Sequence, residues 1–377
     1  MKILVLCYEY PPIGGGGGRV AKTVAEELVR RGHEIRVQTA ALGFRSQREQ
    51  INGVDIFRTA SARRVPDTCR VHEMGLYCAT SLLPTLRHIR EWKPDVIHAH
   101  FALPTGMLAW AVQRLTGTPY VLTAHLGDVP GGVPDQTDRL FRLIGPLANS
   151  VWKNAAAATA VSTFVQRLAE QAYQRDVQRV LNGIDLADAV TPSPANEAPK
   201  LVFVGRFNPQ KCPDFLIDVL AALPNHRWNA TLIGDGPVMP LVRSKIEQHQ
   251  LGERVTLTGW LDGASVERTL RESDIFLLPS TSEGLPVAAI EALKQGLAIV
   301  ASDIPGMLDT VTDGINGLLL PVRDQSVWSK ALDGLLNDRA RLTSFKQASE
   351  HKAHDFDLRH IADQYEAILR SAAGGND

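Results

Sequence analysis

Residues 275–292 read Ile275-Phe276-Leu277-Leu278-Pro279-Ser280-Thr281-Ser282-Glu283-Gly284-Leu285-Pro286-Val287-Ala288-Ala289-Ile290-Glu291-Ala292. Four apolar residues in a row, then a polar loop, then helix-forming residues after a proline, predict a buried strand that feeds a helix. A run apolar on every residue belongs in a parallel sheet covered on both faces. Pro286 suits the first turn of the helix, where a missing N–H costs nothing. The backbone N–H groups of Gly284, Leu285 and Val287 would then serve an anion at the helix start. Glu283 precedes that site, and Glu291 leans back toward it, as helical side chains do. Two carboxylates beside a phosphate site would grip hydroxyl groups attached to the phosphate, the outline of a nucleotide-sugar site. The alternative is ordinary helix-start chemistry, with Glu291 on a solvated face.

The same pattern repeats along the chain. Strands are predicted at residues 3–7, 34–39, 54–58, 95–98, 120–123 and 157–161, and again at 201–204, 230–233, 254–257, 275–278, 298–301 and 317–320. Helical stretches separate them, so each half has the count for one doubly wound, Rossmann-like α/β domain. The expected division is residues 1–181, a linker at 182–199, a second domain at 200–356 and a final helical segment at 357–377. Thr191-Pro192-Ser193-Pro194 carries the linker composition. In such sheets ligands bind beyond the carboxyl ends of the strands, and two of them facing one another make a cleft.

Composition agrees. The chain has 377 residues, 44% hydrophobic and 21% charged, which fits two globular domains. No apolar run approaches the roughly 20 residues of a membrane span. The opening Met1–Cys7 reads as a first strand, because Glu9 and Pro11-Pro12 end it too early for an export signal. Four scattered cysteines show neither metal-ligand spacing nor disulfide density, so a reducing cytoplasm is expected. Net charge is −1, yet residues 1–180 carry 22 Lys and Arg against 15 Asp and Glu, while residues 181–377 carry 18 against 26. A basic first half suits an anionic partner or membrane surface, or simply the acidic second half. Residues 58–93 hold seven of those cations among Met74, Leu76, Tyr77, Leu82, Leu83 and Leu86, which reads either as a basic amphipathic surface for anionic lipid or as a packed helix with a solvated face.

Strand-end loops carry the candidate chemistry. Gly14 to Gly18, five glycines before Arg19, predict a mobile loop that lets a ligand approach the backbone. Gly16-x-Gly18-x-x-Ala21 matches a dinucleotide fingerprint only loosely, and no Gly-x-x-x-x-Gly-Lys-Ser/Thr loop occurs. His125 and Asp128 stand three apart on one loop and can both face a ligand. His98 and His100 share a face but lack a third ligand, so no metal is expected. In the second half Gly205-Arg206 and Lys211 could clamp a diphosphate, Arg as a fork and Lys as a point charge. Gly234-Asp235-Gly236-Pro237 and Gly259-Trp260 are turns whose main chain could read a base.

In this order, Gly205-Arg206…Lys211, Gly234-Asp235-Gly236-Pro237, Gly259-Trp260, Pro279-Ser280…Glu283-Gly284-Leu285-Pro286…Glu291-Ala292 and Asp313-Gly314…Asn316-Gly317 resemble the retaining family-four glycosyltransferases of the GT-B fold. The glycine run, His125…Asp128 and Asn182-Gly183-Ile184-Asp185 resemble that family's first half and hinge. The resemblance implies that Glu291 holds the nucleotide ribose and that Glu283 contacts donor-sugar hydroxyls. It implies that Arg206, Lys211 and the N–H groups of Gly284 and Leu285 bind the diphosphate. His125 would meet the transferring sugar, Gly16 and Gly17 would line the donor phosphate and acceptor region, and the final helix would return to the first domain. Asp128, Gly205, Gly236 and Trp260 complete the expected donor site. Where the family often has Gly after the clamp lysine, this chain has Cys212, which suggests an oxidisable thiol near a cation.

The expected activity is transfer of a hexose from a nucleotide diphosphate sugar, UDP-sugar first and GDP-mannose second, to a hydroxyl acceptor. Cell-envelope glycan, glycolipid and small natural product are the candidate acceptors. No cofactor, essential metal or nucleic-acid partner is expected, and the location is the cytoplasm or the inner membrane face. A nucleotide-sugar epimerase of the same architecture and a hinged sugar-binding protein are the alternatives.

Overall fold

A computed structural model describes residues 1–66, 69–189, 195–224 and 227–374. Contacts divide the chain into two units: unit 1, Met1–Gly183 with Leu358–Asp377, and unit 2, Ile184–Asp357. The linker-like residues 191–194 lie outside the described residues.

Unit 1 begins β1 (Lys2–Leu6), α1 (Gly16–Arg30), β2 (Glu34–Leu42), β3 (Gln47–Ile51), β4 (Val54–Arg63) and α2 (Val71–Trp92). It continues β5 (Val96–His100), α3 (Met107–Thr116), β6 (Tyr120–Ala124), α4 (Pro134–Asn154), β7 (Ala157–Ala160), α5 (Thr163–Tyr173) and β8 (Gln178–Arg179). Among the described residues the sheet runs β3-β4-β2-β1-β5-β6-β7-β8. Neighbours are parallel except β3 and β4, an antiparallel edge hairpin turned by Asn52-Gly53. Strands β1, after Lys2, and β5 and β6 are buried along their whole length, which is why they are apolar or carry only small and aromatic polar residues.

Unit 2 runs β9 (Lys200–Val204), α6 (Pro213–Ala221), β10 (Asn229–Ile233), α7 (Met239–Gln248), β11 (Val255–Gly259), α8 (Gly263–Arg271) and β12 (Ile275–Leu278). Then come α9 (Val287–Lys294), β13 (Ala298–Ser302), β14 (Gly317–Leu320), α10 (Gln325–Asn337) and α11 (Arg339–Ala353). The parallel sheet is ordered β11-β10-β9-β12-β13-β14, the doubly wound dinucleotide-type order. At its base the buried Asp274 carboxylate pairs with Lys346 at 2.8 Å and accepts from Lys200 N and from both nitrogens of Asn196. This fastens Asn196, within the linker expected at 182–199, to the second sheet. Ile184 is likewise held, its N–H donating to Phe356 O at 2.8 Å.

The last helix, α12 (Leu358–Ala372), completes unit 1. It packs on α1, β5 and β6, buries Tyr365 against the His98 ring at 5.1 Å, and receives Arg31 at Asp363 and Glu366.

Two expectations are corrected here. The five-glycine run is not one mobile loop: Gly16, Gly17 and Gly18 form the first turn of α1, and Gly15 caps it. Of the cations in 58–93, Arg58 and Arg63 are buried, not on a surface. Arg58 donates to Tyr10 O and pairs with Glu49, and Arg63 donates to Pro66 O and pairs with Glu9.

Candidate active site

In each sheet the strand order reverses once, between β1 and β5 in unit 1 and between β9 and β12 in unit 2. Loops leaving adjacent strands in opposite directions open a crevice at that point, the usual ligand position in this architecture. Most candidate residues lie on the loops at or next to these two places; Trp260 follows β11, at the edge of its sheet.

In unit 2 the loop after β9 holds Gly205, Arg206 and Lys211. Gly205 N–H donates to Ile233 O and Phe207 N–H to Asp235 O, which ties this loop to the turn after β10. Gly236, at φ +156°, belongs to that turn. A Cβ there would sit 2.4 Å from Phe207 O, so glycine is required by close approach as well as by backbone angle. Asn208 accepts Lys211 N–H through its side chain at 2.9 Å and so sets the lysine's direction. Lys211 Nζ then reaches Glu283 Oε1 at 2.6 Å. Gln210 braces the same contact, donating to Ser282 O while its own carbonyl accepts Thr281 N–H.

The cation of the β9 loop and the acid of the β12 loop are therefore already paired across the crevice. Both are mostly shielded from water, which strengthens the pairing. Gly284, Leu285 and Pro286 follow, all buried. Pro286 is the cap residue of α9 rather than part of its first turn, because its ψ of 113° is extended. Glu291 lies within α9, half-buried. Trp260, beyond Gly259, is 53% exposed at the end of β11.

Cys212 overturns the expected reactive thiol. It is fully buried, its Sγ donates to Pro209 O at 3.0 Å, and burial pushes its pKa up. It takes the left-handed conformation at φ +49° as cap of α6, a conformation that explains why glycine suits this position.

In unit 1 the loops after β1 and β5 meet at His125. Phe101, at the strained φ of +72°, stands between the Tyr8 ring at 5.0 Å and the His125 ring at 4.3 Å. A Cβ on Gly17 would lie 2.4 Å from the Phe101 ring and 3.2 Å from His125 Nδ1, so the start of α1 rests directly on this stack. His125 Nε2 lies 3.3 Å from His100 Nδ1. Burial, with His98 nearby, lowers the His125 pKa to about 3, and the ring is neutral at pH 7.

Asp128 does not face a ligand. Its carboxylate accepts the N–H groups of Ala102, His125 and Leu126 at 2.7, 2.9 and 3.0 Å, and burial raises its pKa against those bonds. Its work is to shape the loop that carries His125.

Phe101 and Glu9, which receives Gly15 N–H and Arg63, escaped sequence reasoning, and His100 was weighed there only as a metal ligand. A signal existed for His100. It ends β5, beside β6 in parallel register with Thr123, two residues short of His125. Among the described residues no group of three or more His, Cys, Asp or Glu side chains is arranged to hold a metal ion.

Residues 14–188 match the family model described as Glycosyltransferase Family 4, and residues 189–352 match Glycosyl transferases group 1. A glycogen synthase of Mycobacterium tuberculosis is 26% identical over 415 aligned positions that cover all of this chain and 96% of that protein. Sucrose-phosphate synthase from Thermosynechococcus elongatus superposes with a TM-score of 0.82 at 20% identity, over 98% of both chains. The Anabaena protein HepE, in complex with UDP and glucose, gives a TM-score of 0.78 at 20% identity, covering 98% of this chain and all of that one. These are GT-B architectures, and the two α/β units here share it.

Proposed function

The chain belongs to the family-four, group 1 glycosyltransferases of the GT-B fold, and from that premise we propose that it moves a hexose from a UDP-sugar to an acceptor hydroxyl with retention of anomeric configuration. GDP-mannose is the second donor. The observation that carries the reading is the Lys211–Glu283 pair at the switch point of unit 2, with Arg206 on the same loop as the lysine. It sets cations for a diphosphate next to a carboxylate for sugar hydroxyls. UDP is favoured because HepE, of the same fold, binds UDP and glucose.

The chemistry follows from charge. As the bond from sugar to diphosphate breaks, negative charge grows on the leaving oxygen. Lys211, Arg206 and the amino end of α9 stabilise it, the largest kind of catalytic effect available to such a site. Glu283 neutralises Lys211 until the donor arrives, then accepts from the sugar hydroxyls. Glu291 accepts from the ribose hydroxyls. The acceptor hydroxyl passes its proton to the departing phosphate on the face where it attacks. The countercharge comes from the protein's own cations, so chelation leaves turnover unchanged. A thermal-shift panel of UDP, GDP, ADP and TDP, followed by turnover of the matching sugar donors, tests the reading. A selective shift by UDP is expected; no shift from any diphosphate at millimolar concentration ends it.

For the acceptor, the exposed rim of unit 1 is the informative surface. Leu42, Phe44, Val65 and Val71 are exposed, with Phe44 at 77%, among exposed Arg45, Arg64 and Arg70. Gly43 N–H donates to Arg63 O and Gly14 N–H to Pro66 O, so the rim is continuous with the start of α1. Apolar side chains ringed by arginines suit an anionic lipid surface and a lipid-linked acceptor. Flotation with phosphatidylglycerol vesicles but not with phosphatidylcholine vesicles is the expected result; equal flotation, or none, removes the membrane partner. Among the described residues no helix is long and apolar enough to cross a membrane.

A further inference from the structure

We propose that His100 is a positioning residue that fixes the tautomer of His125, so that His125 presents Nδ1–H, a hydrogen-bond donor, beside the first turn of α1. The argument counts protons. Both rings are buried and neutral, so two protons are shared among four nitrogens. His100 Nδ1 and His125 Nε2 lie 3.3 Å apart, and one hydrogen fits between them.

Two arrangements satisfy that bond. In the first, His100 Nδ1–H donates to His125 Nε2. His125 then carries its own proton on Nδ1, and His100 Nε2 is a bare lone pair. In the second, His125 Nε2–H donates to His100 Nδ1, and His100 carries its proton on Nε2. His100 Nε2 is buried and has no hydrogen-bond partner among the described residues. The second arrangement therefore buries an unpaired N–H, whereas the first buries only an unused lone pair. Orphaned buried N–H groups are the rarer and costlier of the two. Nor can the His100 ring turn freely, because the His98 ring packs on it at 4.2 Å and His98 is itself tied to Thr123 at 2.9 Å.

The first arrangement has a chemical consequence. His125 Nδ1 sits beside Gly17, at the start of α1, where among the described residues no side chain caps the helix and no acidic residue stands in its first turn, while the Gly15 N–H before it is taken by Glu9 at 3.1 Å. A ring N–H there adds one more donor to a cluster of amide donors. Such a cluster recognises an oxygen acceptor, a hydroxyl or phosphoryl oxygen of the substrate. This consequence rests on the transferase reading; the tautomer itself does not.

Long-range proton–nitrogen correlation spectra of the whole protein with ¹⁵N-labelled histidine, without substrate, read the tautomers directly. Resonances are assigned by loss in His125→Gln and His100→Gln. Both His100 and His125 are expected as Nδ1–H forms. His125 as Nε2–H overturns the proposal without touching the transferase reading. In His100→Phe, which keeps the shape and removes the donor, kcat falls about tenfold or more while UDP affinity stays within about twofold. His100→Asn, which returns a donor near the Nδ1 position, restores most of kcat. Wild-type kcat in folded His100→Phe, or equal loss in the Asn variant, overturns the positioning role. The Nδ1–H pattern with no turnover of any sugar nucleotide sinks the transferase reading alone.

Discussion

Lys211 and Glu283 meet at 2.6 Å although 72 residues separate them. Each was legible as a charge at a strand end, but their pairing was not, because no local spacing rule joins the loops of β9 and β12. Lys211→Ala removes a donor to the growing phosphate charge, and single-turnover assays are expected to show a loss of about a hundredfold or more in kcat, or about 2.7–4 kcal/mol. Glu291→Ala acts on binding instead: isothermal titration with UDP should show affinity weakened about tenfold or more, with kcat at saturation less affected. Cys212 shows how a resemblance misleads at one position. The chain departs from glycine there, but the thiol is buried and its pKa raised, so iodoacetamide should label it only after denaturation. Asp128 shows the same limit: three backbone amides consume its carboxylate, and nothing in the motif reveals which way an acid points.

Elements were legible where burial forces a pattern. All twelve expected strands form; the central ones, such as β12, are covered on both faces and therefore apolar throughout, while β4 shows the alternation of a half-covered strand. β3 was missed because Gln47-Arg48-Glu49-Gln50-Ile51 is an exposed edge, where no pattern is imposed. The two-residue β8 is too short to leave one. α2 inverts the usual rule: its buried residues are Glu73, Tyr77, Ser81, Thr85 and His88, while Val71 and Leu83 face outward. Hydrogen bonds hold its inner side, such as Ser81 with Thr59 at 2.5 Å and Tyr77 to Gln38 O, so apolarity did not mark the core face. At the start of α1 glycine reads as mobility in sequence and as tight packing in structure. Gly17→Ala would press a methyl into the Phe101 ring, and thermal unfolding should show about 1–3 kcal/mol of destabilisation.

At the scale of the molecule, acid should act on unit 1 first. Burial disfavours the charge on all three rings: it lowers His98 and His125 to about 3 in the folded state and holds His100 well below its ordinary value, against 6.5 in the unfolded chain. The unfolded chain therefore binds more protons between those values. Stability from keeping these rings neutral is complete above about pH 6.5 and is lost as pH falls toward 3. Melting temperature followed over that range should drop, and drop less in His98→Gln. In unit 2, Lys346→Met leaves the Asp274 carboxylate buried without its cation, and urea unfolding should register about 3–5 kcal/mol.

The return of α12 reverses an order that the ribosome would otherwise impose. Residues 1–183 emerge first, yet the groove of unit 1 that takes Tyr365 stays open until residues 358–372 have been made. The 174 residues of unit 2 can meanwhile close on themselves. During synthesis unit 1 is thus finished only after unit 2 has been made, and the neighbourhood of His98 is sealed by a helix that follows all of unit 2 in the chain.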